Sequence, residues 1–571
     1  MNMQPEFMTA GVFSAGVELG HHLDDAFGLP RKAVLSQRDV PGMTRGVVPL
    51  LNAANVTGVT VGVNGGVCPP WVPTMFRWRV GGAEVVGGWH PGGYPDMYAC
   101  PESSMLRCTE QRAGTLARKE CMVAGEEAFC FAFRTDNTGP PRSAEEVRRG
   151  FEVARSQFPG AEVVAGDLDS FYAAAASDET LPVVTQEIGD VWIPGVASDP
   201  WKAAVTRRMQ RAYDAHASGG AEPRTDGSGD ALRNAASYLL KLSEHTWGLS
   251  DLYNKSANWT NAELDRQYAA GDFDYNLRDW RAQRDFARLA AAALPAGHAL
   301  RAAWDAIIKE KDAGPRRPAL DGLTKTAERS FSCRGEPLRV DDAGALHFRG
   351  MSVGGVAYEA LGEDVYNTSA FVCDQVFGGK PGSAAYAGGE THRSTGKLEA
   401  LYAGECVLVA RVAVTGVGAP AEVWTTYNVS RDALDIDVVV LGKRPTRFNE
   451  AAWVRFEGPG DWFMTKLGAP ISFDDVVRGG SSGVHAADDA RCDTGDARFV
   501  VDSLDAPALA PIAKRPPSVL LNWQQEAAAG VHGVAFNLWN NAWSTNYMFF
   551  YPYLPEDANA SYHFTVTQAA A

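Results

Sequence analysis

Several short stretches of this 571-residue chain carry residue types at spacings that can do chemistry. Residues 479–483, GGSSG, satisfy the G-x-S-x-G pattern of a serine nucleophile, with His485 close by. That chemistry needs a strand before the serine, a helix after it and an acid between serine and histidine in chain order. The segment instead reads as a loop among β-rich runs, so Ser481 is expected to be an ordinary loop serine. Residues 87–94, GGWHPGGY, place Trp89, His90 and Tyr94 on a glycine-rich loop that either lines a sugar pocket or forms a surface turn. At 236–249, ASYLLKLSEHTWGL, a helix ends with Glu244 beside His245, a pair that serves as a cap or as an imidazole held by a carboxylate, which suits Zn2+. Read alone, Asp39 in SQRDVPGMT begins an Asp-Val-Pro-Gly turn, and Asp136 in FRTDNTGPPR makes an Asx turn capping the helix that follows. Trp192, in DVWIPGV, is an aromatic in a loop.

The elements that must position these residues fall into three parts. Over residues 1–200, buried strand patterns at 55–63, 127–133 and 161–164 alternate with a helical pattern at 144–156, which implies a mostly parallel sheet in an α/β domain. The stretch 100–130 reads as an irregular insertion. Over 201–310 the period changes to 3.6, with helices expected at 201–217, 230–244 and 280–293, a bundle of three or more. Residues 309–323, KEKDAGPRRPALDGL, read as a charged linker. Over 311–571, β-branched or alternating runs at 406–414, 421–427, 434–441, 452–456 and 561–566 make a β-sandwich pattern.

Composition narrows the function classes. With 45% apolar and 21% charged residues the chain is a folded globular one, and its apolar runs are too short to span a membrane. A net charge of −16 with no basic cluster excludes nucleic acid as a partner. Aromatics are 10% of the chain, and one use of such rings is to stack on sugars. None of the nine cysteines forms a Cys-x2-Cys zinc pair, and neither a P-loop nor a Rossmann glycine motif is present. Six Asn-x-Ser/Thr sequons occur, at Asn55, Asn254, Asn258, Asn367, Asn428 and Asn559, which leave a secretory origin open. The opening MNMQPEFMTAG shows no signal peptide, so the protein is expected to be cytosolic or to begin upstream of Met1.

Taken in order, residues 36–44, 133–175, 190–216, 236–249 and 533–553 resemble the retaining, zinc-dependent α-mannosidases of glycoside hydrolase family 38, and more closely a poorly characterised domain-of-unknown-function branch of that superfamily. The resemblance implies carbohydrate or a glycoconjugate as substrate. It implies Asp39 as nucleophile and zinc ligand, His245 as a second zinc ligand, Asp136 as the acid/base and Trp192 on the substrate side. Where the family pairs two acids, this chain has Asp136 followed by Asn137.

The family also draws two zinc ligands from a His-x-Asp on its first barrel strand. The chain's one candidate, His22-Leu23-Asp24, stands too close before Asp39 and is read as a polar helix end. The expected architecture is therefore an incomplete (β/α)-type barrel, a helical bundle and a C-terminal β-sandwich. The alternative to a glycosidase is a catalytically inactive carbohydrate-binding or scaffold protein that has lost its metal.

Overall fold

A computed structural model describes residues 2–63, 70–90, 121–130, 143–157, 159–218, 228–249, 260–361, 391–447, 449–514, 517, 528–541 and 550–570. The N-terminal part holds helices α1 (Ala10–Phe27) and α2 (Val47–Ala53) and strands β1 (Val34–Asp39), β2 (Gly58–Val63), β3 (Met75–Val80), β4 (Ala83–His90) and β7 (Val183–Val184). These strands form one sheet in the order β1-β2-β4-β3-β7, open at both ends among the described residues. β1, β2 and β4 run parallel, whereas β3 is antiparallel to β4. All six residues of β2 are buried, because both faces of the sheet are covered. On one face Val59, Val61, Trp78 and Trp89 pack against α1, α2 and the helical part. On the other, Met75 and Val86 meet helix α4 (Leu168–Ala176), whose Tyr172 hydroxyl donates to the Val59 carbonyl at 3.1 Å.

Three expectations need correcting here. The stretch 100–130, read as irregular, ends in an ordered hairpin among the described residues, where β6 (Glu127–Cys130), the described part of the strand expected at 127–133, pairs with β5 (Cys121–Ala124). The segment 161–164 is not a strand; it pairs with no strand among the described residues, runs irregularly, and Val164 is 66% exposed. Residues 87–90 are not loop but the carboxyl half of β4. Helix α3 (Ala144–Gln157) forms where helical spacing was read.

The helical part comprises α5 (Pro200–Ser218), α6 (Ser228–Lys241), α7 (Asn261–Ala270), α8 (Asp274–Ala292) and α9 (Ala299–Ala313). Helix α9 absorbs the start of the expected linker: Lys, Glu and Ala are good helix formers, and the helix stops only at Gly314 (φ 64°) before Pro315. The remaining residues form a nine-stranded and a ten-stranded sheet among the described residues. In the strand Ala433–Leu441 the alternation is clean, with Leu434, Ile436, Val438 and Val440 buried. Residues of both sheets join one core, which also takes in Trp280 of α8 and Phe7. A disulfide joins Cys333 to Cys406.

Candidate functional site

Asp39 ends β1. The register Arg38–Gly62–His90 across β1, β2 and β4 puts Asp39 and His90 at the carboxyl ends of three parallel strands, where open α/β sheets bind ligands. Asp39 has φ 73°, a left-handed conformation that Asp tolerates better than most residues, and it breaks the strand there. The following turn is pinned: Gln37 Nε2 donates to the Gly42 carbonyl (2.8 Å), and Gly189 N donates to the Met43 carbonyl (3.1 Å). A Cβ on Gly42 would lie 1.8 Å from the Gly189 carbonyl oxygen, so only glycine permits this approach.

His245 follows the end of α6 and is fixed through its backbone, whose N–H donates to the Asn2 carbonyl at 3.3 Å. Its Nε2 lies 2.8 Å from Asp39 Oδ2, and its Nδ1 lies 2.6 Å from Glu244 Oε1 and 3.2 Å from the Asn2 carbonyl. The side chains of His245 and Asp39 are only 8% and 13% exposed. Burial by itself would push the imidazole pKa down, but hydrogen bonds and charge from the two carboxylates outweigh it and raise it to about 10. The group is thus an imidazolium with a carboxylate at each nitrogen. Trp192 lies nearly parallel to it, ring centroids 6.2 Å apart and planes 16° apart.

Behind this pair lies a buried polar network that ties all three parts of the chain together. Gln4 Nε2 donates to Asp190 Oδ2 (3.1 Å), Asp190 N donates to Glu6 Oε1 (2.6 Å), and Trp247 Nε1 donates to Gln4 Oε1 (3.1 Å). Lys466, from the strand Asp461–Lys466, spends its three donors on Glu6 Oε2 (2.6 Å), Glu187 Oε1 (3.0 Å) and His485 Nδ1 (3.1 Å). Burial raises Asp190 to about 6 and Glu6 to about 7, the latter despite Lys466. Glu187 also accepts from Thr44 Oγ1 and Arg45 N, so the network grips the turn after Asp39.

The structure therefore brings together Asp39, His245 and Trp192, with His90 at the end of β4, the next strand but one from β1. Trp89 is fully buried, its ring packed edge-on to Trp78 at 5.4 Å. Tyr94 and Asp136 lie outside the described residues. Ser481 is buried and donates to the Val484 carbonyl at 2.6 Å, and His485 faces Lys466 instead, so no serine–base pair forms. His22, Leu23 and Asp24 lie in the last turns of α1, with Asp24 paired to Lys32.

Gln4, Glu6, Glu187 and Lys466 escaped the sequence reading because their partners lie up to 460 positions away and no local spacing marks them. For zinc, the arrangement Asp39–His245–Glu244 has the right chemistry at one ligand, since Glu244 orients the ring as an outer carboxylate would. Yet among the described residues no group of three or more His, Cys, Asp or Glu side chains is placed so that it could hold a metal ion, and zinc sites keep at least three protein ligands. The donor set present does not by itself fit the ion.

A family model described as Domain of unknown function (DUF5054) matches residues 196–360. Among curated proteins none matches the sequence. An α-mannosidase from Enterococcus faecalis V583 superposes on the whole chain with a TM-score of 0.58 at 9% identity, 78% of that protein being covered. A protein in glycosyl hydrolase family 38 from Enterococcus faecalis gives 0.53 at 8% identity, covering 100% of this chain and 76% of its own. The chain has the fold of the family 38 glycoside hydrolases; at these identities the likeness speaks to fold alone.

Proposed function

We propose that this protein acts on α-mannoside-type glycosides with retention, Asp39 being the nucleophile. The observation that carries the reading is the ion pair between Asp39 and His245, formed across 206 positions of sequence at the carboxyl edge of a parallel sheet in a glycosidase fold. Attack by an Asp39 oxygen on the anomeric carbon forms a glycosyl ester as the bond to the leaving oxygen breaks, and Asp136 gives that oxygen its proton. Asp136 then takes a proton from the water that cleaves the ester. His245 holds Asp39 in place, and as the charge on Asp39 is consumed Glu244 still balances the imidazolium. Trp192 backs the imidazole and keeps water from it. No step above passes through a metal.

The test is hydrolysis of aryl α-mannosides by the full chain beside Asp39→Ala, with the product anomer followed by NMR. Retained product and a loss of several orders of magnitude in kcat for the variant are expected. Equal activity in both proteins removes Asp39 from the mechanism.

A second reading, a carbohydrate-binding protein without turnover, is favoured by one observation: among the described residues no group of three potential ligands is placed to hold the zinc that the family resemblance implies. Mannoside binding by calorimetry with no hydrolysis by either protein would select it.

A further inference from the structure

We propose that Asn55, Asn428 and Asn559 carry N-linked glycans, so that the chain matures in an oxidising, glycan-transferring lumen. The proposal does not depend on what Asp39 does. Each of the three opens an Asn-x-Ser/Thr sequon and each is exposed. By contrast, the buried asparagines Asn276, Asn449, Asn537, Asn540 and Asn541 all lack the hydroxyl residue two positions on. Among the described residues, then, every sequon asparagine is exposed and no buried asparagine opens a sequon, as a bulky glycan requires; the sequons at Asn254, Asn258 and Asn367 lie outside the described residues.

The local geometry suits modification at each place. Asn55 sits in the turn between α2 and β2 with φ 58°, while the next residue, Val56, is buried and anchors the turn. It lies in the turn before the amino end of β2, whereas Asp39 pairs with Val63 at the carboxyl end, the far end of a strand about 17 Å long at ~3.3 Å per residue. Asn428 alternates with buried Tyr427 and Val429 on its strand and so points out of the sheet. Asn559 uses its amide oxygen to accept from Gly442 N at 3.0 Å, a bond that substitution on Nδ2 preserves.

The second, independent observation is redox. Cys333 and Cys406 form a disulfide, and Cys130 is disulfide-bonded as well. Such bonds persist in secretory compartments and are rare in reducing cytosol. The first lies beside a proposed acceptor, since Val429 N donates to the Cys406 carbonyl at 2.9 Å. In the transfer step Asn Nδ2 attacks C1 of a lipid-diphosphate-linked oligosaccharide. The new N–C bond forms as the C–O bond to the diphosphate breaks, Nδ2 gives up a proton and the lipid diphosphate leaves.

The experiment is peptide mapping of protein purified from its own cells, before and after an amidase that releases N-glycans and converts the bearing Asn to Asp. Asp at 55, 428 and 559 after treatment is expected, with Cys333 and Cys406 recovered as one linked peptide. In a eukaryotic secretory host, Thr57→Ala, Ser430→Ala and Ser561→Ala should each remove one glycan while leaving the asparagine itself untouched. Unmodified Asn at all three positions overturns the proposal, and a single position read as Asn removes that site from it. Free thiols at Cys333 and Cys406 in the same sample overturn the assignment to an oxidising lumen.

Discussion

An imidazolium between two carboxylates and a nearby buried ammonium make the neighbourhood of His245 sensitive to alkali in two opposing ways. The folded-state pKa of His245, about 10, lies above its ordinary 6.5. Its contribution to stability is therefore fully present below 6.5 and is lost as pH rises through 10. Lys202 runs the other way. Its Nζ is buried 4.0 Å above the Trp247 ring without a hydrogen-bond partner among the described residues, and burial pushes its pKa down from 10.5 to about 8. The unfolded chain takes up that proton between 10.5 and 8 while the folded chain does not, so the penalty grows as pH falls through this window and is constant below it. Lys202→Met should raise stability at pH 7 by about 1–3 kcal/mol, the shift less what the ring contact contributed. It should also steepen the alkaline loss, because the His245 trend is then unopposed. Thermal melts from pH 7 to 10 check this; parallel curves for the two proteins would sink it.

At the scale of elements, what holds the site is the seam between the helices and the β-sheets. Helix α5 presents Arg207 to three main-chain carbonyls of the β-region, those of Ser503, Ala487 and Asp488, and Arg208 to Asp505. Helix α8 places Arg284 between Asp199, which precedes α5, and Asp557, with Nε 2.8 Å from Asp199 Oδ2 and Nη2 2.9 Å from Asp557 Oδ2. All three are buried. Removing Arg284 strands two carboxylates away from water, so Arg284→Ala is expected to cost about 3–5 kcal/mol in urea unfolding. The double variant Arg284→Met with Asp557→Leu should recover part of that loss, because it removes a stranded charge along with the cation. No recovery would mean that the arginine acts through its stem and not through its charge.

For the whole molecule, cohesion comes from shared cores more than from separate domains. One buried cluster runs from the parallel sheet through α1 into α5, α6, α8 and α9, and another joins both large sheets to α7 and α8. The Cys333–Cys406 disulfide closes a sequence separation of 73 residues, which a chain-entropy account values at about 4 kcal/mol. Cys333→Ser with Cys406→Ser should lower denaturant stability by about that amount, or somewhat less if strain relaxes. Such a loss should leave the contact between Asp39 and His245 intact, since the disulfide lies within the β-region. An NMR signal of the His245 imidazolium that persists in the double variant would check it; its disappearance in a still-folded protein would show the β-region reaching further into the site.

Local pattern was enough to mark α3, α5, α6 and α8, the buried run of β2 and the alternation of 434–441, because helical and extended periodicities follow from which side of an element meets the core. The family resemblance carried by the ordered motifs pointed to Asp39, His245 and Trp192, and the fold places these three side by side. What only the tertiary structure decided was partnership. The 161–164 segment has strand-like residues but no strand to pair with among the described residues, residues 87–90 became strand because β2 and β3 lie alongside, and Trp89 was drawn into the core by Phe76 and Trp78. Glu6, Glu187 and Lys466 look unremarkable one at a time, and a buried charge is tolerable only once its partners arrive. Those partners come from hundreds of residues away, so their meeting is a property of the fold and leaves no trace in spacing.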